Sequence, residues 1–330
     1  MSTSPKMLNV LIVGCGNIAG RFDMNRLPTD LPLTHAGAYH RDRRFQITAC
    51  VEPNEALRYE FMKFWSIPIG FRSIDEVLNG KHQFDVISIC SPTHCHAHDL
   101  EMAISLNPKL IFCEKPITLY CAETERLVGL CQQLNIYLAV NYTRRWDQDV
   151  TQLQTKIQND QWGKLRSVIG YYNKGLLNNG SHLLDLLNFL LGKINIIKVG
   201  KPIYDFFDHD PTVPMWLETE DGCPIHLVAG HAQDYALFEI QFIFAKGLLV
   251  MEDGGMFWRN RQVIDSETFK GYRTLTDSTK NAGHYPHAML QAIDNIYRAI
   301  TGNECLSSTG ETALTSQLFC EQIKQSISIS

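Results

Sequence analysis

The chain has 330 residues, 45% of them apolar and 20% charged, with a net charge of −5. That is material for two ordinary domains with packed cores. The mild charge, with no basic run, argues against a nucleic-acid or membrane-surface binder. Ten cysteines stand singly, with no CxxC pair, which predicts reduced thiols rather than a disulfide scaffold. Met1 to Lys6 is short and polar, and no apolar run approaches a signal segment or a membrane span, so the expected location is the cytoplasm.

In chain order, Leu8 to Val13 is a short apolar run that stops at glycine, as a buried strand does. A proline-punctuated stretch, Leu27 to Thr34, precedes a helix near Ala36 to His40. Phe45 to Val51 reads as a second strand, followed by a helix from about Glu55 to Trp65. The strand Asp85 to Cys90 leads into a helix from about His96 to Leu106. The strand Leu110 to Cys113 leads into a helix from about Cys121 to Leu134, and Tyr137 to Asn141 follows. Strand and helix alternate with crossovers long enough for parallel pairing, which predicts a doubly wound α/β domain over residues 1–143.

The pattern changes over residues 144–330. Strand candidates follow one another at Leu165 to Tyr172, Ile194 to Val199, Val213 to Glu218, Ile225 to Gly230, Leu237 to Phe244 and Leu248 to Glu252. Helices flank them near Gly180 to Leu191 and His287 to Thr301. This predicts an α+β domain with an open, mostly antiparallel sheet. An amphipathic helix from about Ala313 to Ser326 closes the chain and is free to pack back on the first domain.

Gly14-x-Gly16-x-x-Ala19 falls directly after the first strand, where a dinucleotide-binding turn belongs. Gly14 permits the tight turn and Gly16 lets the backbone approach a pyrophosphate. Asn17 and Ile18 complete the loop, Ala19 allows close packing, and a helix opening here would supply N–H groups to the phosphates. Glu52, at the end of the second strand, can accept from both ribose hydroxyls and repel a 2′-phosphate, which favours NAD over NADP. The bland alternatives are a structural turn and a solvated carboxylate beside Pro53. His94, Cys95, His96 and His98 suggest a metal cluster, but four residues within five positions at a helix start diverge, so no metal is expected.

By Glu114-Lys115-Pro116 the chain resembles the glucose–fructose oxidoreductase / inositol dehydrogenase (Gfo/Idh/MocA) family. Cys90-Ser91-Pro92-Thr93-His94-Cys95-His96 is similar to that family's TP-x-x-x-H loop, and Asn141 to Trp146 to its N-x-x-R-(F/W) segment. Gly180-Ser181-His182-Leu183-Leu184-Asp185 is similar to its D-x-G-x-H-x-x-D segment, and Ser307 to Leu314 is likewise typical. The resemblance implies a Rossmann domain with a cis Lys115–Pro116 bond. It also implies cofactor contacts at Ser91, Pro92, His96 and Glu114, and a homodimer or homotetramer. It carries the proton-handling group onto Lys115, Asn178 and His182. Position 178 departs from the family's aspartate, and an amide orients a histidine without taking its proton.

Moving a hydride between a secondary alcohol and nicotinamide leaves the protein to move the alcohol proton. His182 suits the acid/base role, Lys115 the stabilisation of an alkoxide, and Asn178 the orienting role. Tyr172, Asp185 and Arg144 are candidate contacts for a carbohydrate-like substrate. The expected function is an NAD(H)-dependent oxidoreductase acting on a sugar, polyol or nucleotide sugar. The alternatives are a catalytically silent NAD-binding regulator and an imine or tetrapyrrole reductase.

Overall fold

The computed structural model describes residues 7–80, 82–302 and 304–327; the polar stretch Met1 to Lys6 lies outside the described residues. Six short strands, β1 (Leu8–Val13), β2 (Phe45–Val51), β3 (Ile69–Phe71), β4 (Val86–Ile89), β5 (Leu110–Cys113) and β6 (Tyr137–Val140), alternate with five helices. These are α1 (His35–Arg41), α2 (Glu55–Trp65), α3 (Ile74–Leu78), α4 (Thr93–Ser105) and α5 (Cys121–Gln133). The strands pair in parallel in the order β3-β2-β1-β4-β5-β6. Both faces are covered, which is why the strands read as near-continuous apolar runs. Val10 and Ile12 join one core with Tyr39, Phe61 and Phe112, while Leu11 and Val13 join the other with Leu100 and Leu127.

The second unit comprises α6 (Gln148–Gln158), α7 (Ser181–Leu191) and a nine-stranded sheet. Its strands are β7 (Leu165–Tyr172), β8 (Ile194–Val199), β11 (Met215–Thr219), β12 (Pro224–Ala229), β13 (Phe238–Phe244), β14 (Gly247–Glu252), β15 (Phe257–Asp265), β16 (Arg273–Leu275) and β17 (Thr279–Ala282). Their order is β16-β15-β14-β13-β7-β12-β11-β8, with β17 on β15, and only β7 and β12 pair in parallel. A separate hairpin, β9 (Ile203–Phe207) with β10 (Asp210–Thr212), stands off this sheet. Two further helices follow, α8 (Ala288–Ile300) and α9 (Gly310–Ile327).

The chain clusters into residues 1–146 with 286–315, and residues 147–285 with 316–330. The expected division at 143/144 thus falls three residues early, and α8 joins the first unit. The reason is its apolar face: Met289, Ala292, Ile293 and Ile296 enter the core that holds Phe112 and Trp146. Met289, Ile293 and Ile296, so buried, each contribute about 2 kcal/mol. Sequence reasoning missed α6, whose apolar positions Val150 and Leu153 are few, and β15 to β17, whose residues are largely polar.

Candidate active site

Between β1 and β4 the strand order reverses, and in open α/β sheets ligands bind at the carboxyl ends of strands at such a switch point. Gly14 begins the loop there with φ of +87°. A Cβ at Gly14 would lie 2.6 Å from the backbone nitrogen of Ser91, so the loops after β1 and β4 touch at that point. Gly16 is different: nothing lies within 4 Å of where its Cβ would stand. Asn17 is exposed, Ile18 packs against the core, and Ala19 is fully buried. The Cys15 N–H donates to Glu52 Oε2 at 3.1 Å, which places the carboxylate ending β2 directly at the glycine loop. The loop's open backbone and this carboxylate fit a dinucleotide's pyrophosphate and ribose.

The expected α-helix after the glycines does not form. Residues 17–20 are a succession of turns, and a 3-10 turn covers Arg21–Asp23. Asp23 then ends the run by accepting from the backbone of Leu33 and Thr34 at 3.0 Å. The regular helix is postponed to α1, where Thr34 caps Gly37. The loop between them is the Pro28–Pro32 stretch, and proline there removes donors a helix needs. Glu52 is consequently further from the glycines in sequence than in space.

His96, expected at the cofactor, is buried. Its Nδ1 lies 2.9 Å from the Pro116 carbonyl and its Nε2 2.7 Å from the Ser91 carbonyl. With both nitrogens engaged by backbone, it is a tie between two loops rather than a ligand contact. Ser91 Oγ donates to Asp99 at 2.5 Å, Pro92 is exposed at the start of α4, and Lys115–Pro116 is cis. His98 pairs with Asp75, and no group of three metal-ligating side chains converges among the described residues.

Glu114 heads a buried network that sequence reasoning missed. Its Oε1 is 3.0 Å from His35 Nε2 and accepts from Asn141 Nδ2 at 2.6 Å. His35 Nδ1 lies 3.3 Å from Ser88 Oγ, which is 2.9 Å from the Tyr39 hydroxyl, and the His35 ring packs on Phe112. Burial pushes the Glu114 carboxyl up. The hydrogen bonds and charges of His35, Asn141 and Lys115 outweigh it and hold the carboxyl below its ordinary value. Lys115 itself is half-buried at the carboxyl edge of the sheet, just beyond β5. Only the position of His35 at a helix start, opposite β5 in space but not in sequence, could have flagged it.

In the second unit, Asn178 and His182 are half-buried and one helical turn apart, at the junction of a π-helical stretch, Gly175–Gly180, with α7. Asp210 underlies the stretch, accepting from the backbone of Leu177 at 2.8 Å and Asn178 at 3.0 Å. Two expected substrate contacts go elsewhere. The Tyr172 hydroxyl is fully buried, donating to the Val213 carbonyl at 2.7 Å and accepting from its N–H at 2.9 Å. Asp185 is buried on the inner face of α7 and accepts from Ser316 Oγ of α9 at 2.9 Å. Arg144 is half-buried in the 3-10 turn Thr143–Trp146, beside the buried Arg145.

A parallel sheet of this order, with a glycine turn at its switch point and a carboxylate ending the second strand, defines a dinucleotide-binding Rossmann unit. Residues 8–142 match the model of an oxidoreductase family with an NAD-binding Rossmann fold. The chain is thus similar to that family, the Gfo/Idh/MocA oxidoreductases, within its first unit. It is 30% identical over 80 residues to a myo-inositol 2-dehydrogenase of Thermotoga maritima, covering 24% of each chain. It is 27% identical over 172 residues to an inositol 2-dehydrogenase of Rhizobium meliloti, covering 46% of this chain and 51% of that one. The chain thus spans a quarter to a half of the curated relatives it matches. A crystal structure of an oxidoreductase from Agrobacterium radiobacter, in complex with NAD+, L-tartaric acid and magnesium, has the same fold. It matches with a TM-score of 0.77 at 15% identity, over 98% of this chain and 97% of that one.

Proposed function

We propose that the protein is an NAD(H)-dependent dehydrogenase or ketoreductase of a sugar, polyol or nucleotide sugar, active as a homodimer or homotetramer. The observation that carries the reading is the contact of Glu52 with the Cys15 amide beside the open Gly16 backbone. This holds a ribose-binding carboxylate where a 2′-phosphate would be repelled. The inositol dehydrogenases among its relatives support the substrate class.

In this reading the bound nicotinamide supplies or accepts the hydride. Gly14, Gly16, Asn17, Ile18 and Ala19 form the pyrophosphate loop, and Ser91, Pro92 and Glu114 border it at the neighbouring strand ends. Lys115 stabilises the developing alkoxide. Its charge helps hold the adjacent Glu114 carboxyl below its ordinary value, and the remainder of the Glu114 network fixes the carboxylate. His182 exchanges the alcohol proton, and Asn178, an amide with both donor and acceptor, orients it or a substrate hydroxyl. Arg144 is a further candidate contact for the substrate.

The test is a fluorescence titration of NADH and NADPH with the wild type and Lys115→Ala, followed by absorbance assays on polyols, sugars and nucleotide sugars. Tighter binding of NADH is expected. Lys115→Ala should keep that binding while losing about 10²–10⁴-fold in turnover. Binding without turnover on any substrate favours the silent regulator that Asn178 would mark. Binding of neither nucleotide defeats the reading.

A further inference from the structure

We propose that Asp210 is the positioning residue for Asn178 and His182, a buried carboxylate clamped under the backbone of residue 178 whose own side chain carries no charge. The proposal rests on the reading of His182 and Asn178 as proton-handling residues, and deepens it. Leaving β7, the chain turns on two consecutive left-handed residues, Lys174 with φ of 65° and Gly175 with φ of 87°. It then enters the π-helical stretch, whose first amides have no partner in the preceding chain.

Hairpin β9–β10 takes up those amides one by one. Lys174 N donates to Asp205 at 3.0 Å, Gly175 N to Thr212 Oγ1 at 2.9 Å, and Leu177 N and Asn178 N to the two oxygens of Asp210. Thr212 in turn donates to Asp205 at 2.7 Å, which ties two of the three acceptors together, and Asp210 begins the same strand, β10, as Thr212. Asp210 is 3% exposed, and a Cβ at Gly175 would lie 2.3 Å from its Oδ2. The slot therefore admits a carboxylate and glycine but nothing larger.

An uncharged cap would satisfy these amides without the cost of burying a charge. A buried carboxylate bonded to two N–H groups instead fixes the backbone of residue 178 rigidly, because charge-assisted bonds are roughly twice as strong as neutral ones. Fixing that backbone sets the direction of the Asn178 side chain and, one turn on, of His182. Misplacement of a reacting group by 1 Å costs on the order of 10²-fold in rate.

The experiment compares full-length wild type, Asp210→Asn, Thr212→Val and His182→Ala. It measures hydrogen–deuterium exchange of residues 174–182, NADH titration, and oxidation of a polyol panel headed by myo-inositol with NAD+. In Asp210→Asn, exchange at Leu177 and Asn178 should accelerate about 10-fold, the loss of roughly one hydrogen bond. NADH affinity should stay within about 2-fold, and kcat should fall by on the order of 10²-fold with KM little changed. Thr212→Val, which alters no charge, gives a weaker version of the same pattern and decides the matter if Asp210→Asn does not fold. Wild-type exchange or wild-type kcat in Asp210→Asn overturns the proposal, and exchange alone decides it if no polyol is oxidised. Full activity in His182→Ala overturns the functional reading while leaving the clamp intact.

Discussion

At the scale of single residues, position was legible where a carboxylate ends a strand beside a glycine turn, as Glu52 does. It sits one residue beyond β2, bonded through Oε2 to Cys15 and through Oε1 to the backbone of Asn54. His96 and Tyr172 show the opposite. Each looked functional because its side chain can bond a ligand, yet in both every bonding atom is engaged by backbone, through contacts invisible without the fold. Glu52 yields a prediction about cofactor choice. Arg58 Nη1 already donates to the Glu52 carbonyl at 2.6 Å, so a guanidinium stands beside the proposed ribose site. Glu52→Ser removes the repulsive carboxylate and leaves this arginine to meet a 2′-phosphate. NADH affinity should fall by about 10-fold, the worth of one charge-assisted bond, while NADPH affinity rises. A Kd ratio unchanged from the wild type would exclude Glu52 from the ribose site.

At the scale of elements, the parallel sheet and most of its helices were legible, because 3.6- and 2-residue periodicities and strand-end glycines are local signals. The missing helix after the glycine loop was not, because its fate is set by Asp23 reaching ten residues ahead to Leu33. The π-helical stretch was not either, since Gly175-Leu176-Leu177-Asn178-Asn179-Gly180 is shaped by acceptors some thirty residues later in hairpin β9–β10. The glycine loop itself can be divided experimentally. Gly14→Ala forces a side chain into the left-handed region, about 1–2 kcal/mol unfavourable, and drives its Cβ against the Ser91 backbone. It should lower Tm and abolish NADH binding together. Gly16→Ala meets nothing and should leave Tm at or slightly above the wild-type value. It should still weaken NADH about 10-fold or more if the pyrophosphate lies against that backbone. Calorimetry and titration on the two variants separate a purely structural turn, which Gly16→Ala would leave untouched, from a binding loop.

At the scale of the whole molecule, the second unit's sheet is two-faced. Val168, Leu227, Ile240, Phe242 and Met251 are buried in one core with residues of α6, α7 and α9. The alternate positions face outward, and the register lines them up: Trp216 pairs with His226, His226 with Ile169, Ile169 with Gln241, and Gln241 with Val250. Val228 is 43% exposed and Trp216 54%, while Ile169, Tyr171, Ile243, Leu248 and Val250 are half-exposed. So many half-exposed apolar side chains gathered on one face of several strands are more than a monomer ordinarily leaves to water. Polar members such as Gln241 and Glu239 among them are what an isologous interface tolerates, because a two-fold axis lets each patch meet its own copy. Light scattering of the wild type should therefore give twice the chain mass or a multiple of it. Val228→Arg with Ile243→Arg places like charges face to face across that axis and should shift the mass to that of one chain. The fold should survive, since neither residue belongs to the buried core. A wild type that is monomeric at micromolar concentration ends the assembly proposal, and a double variant that stays oligomeric moves the interface to another face.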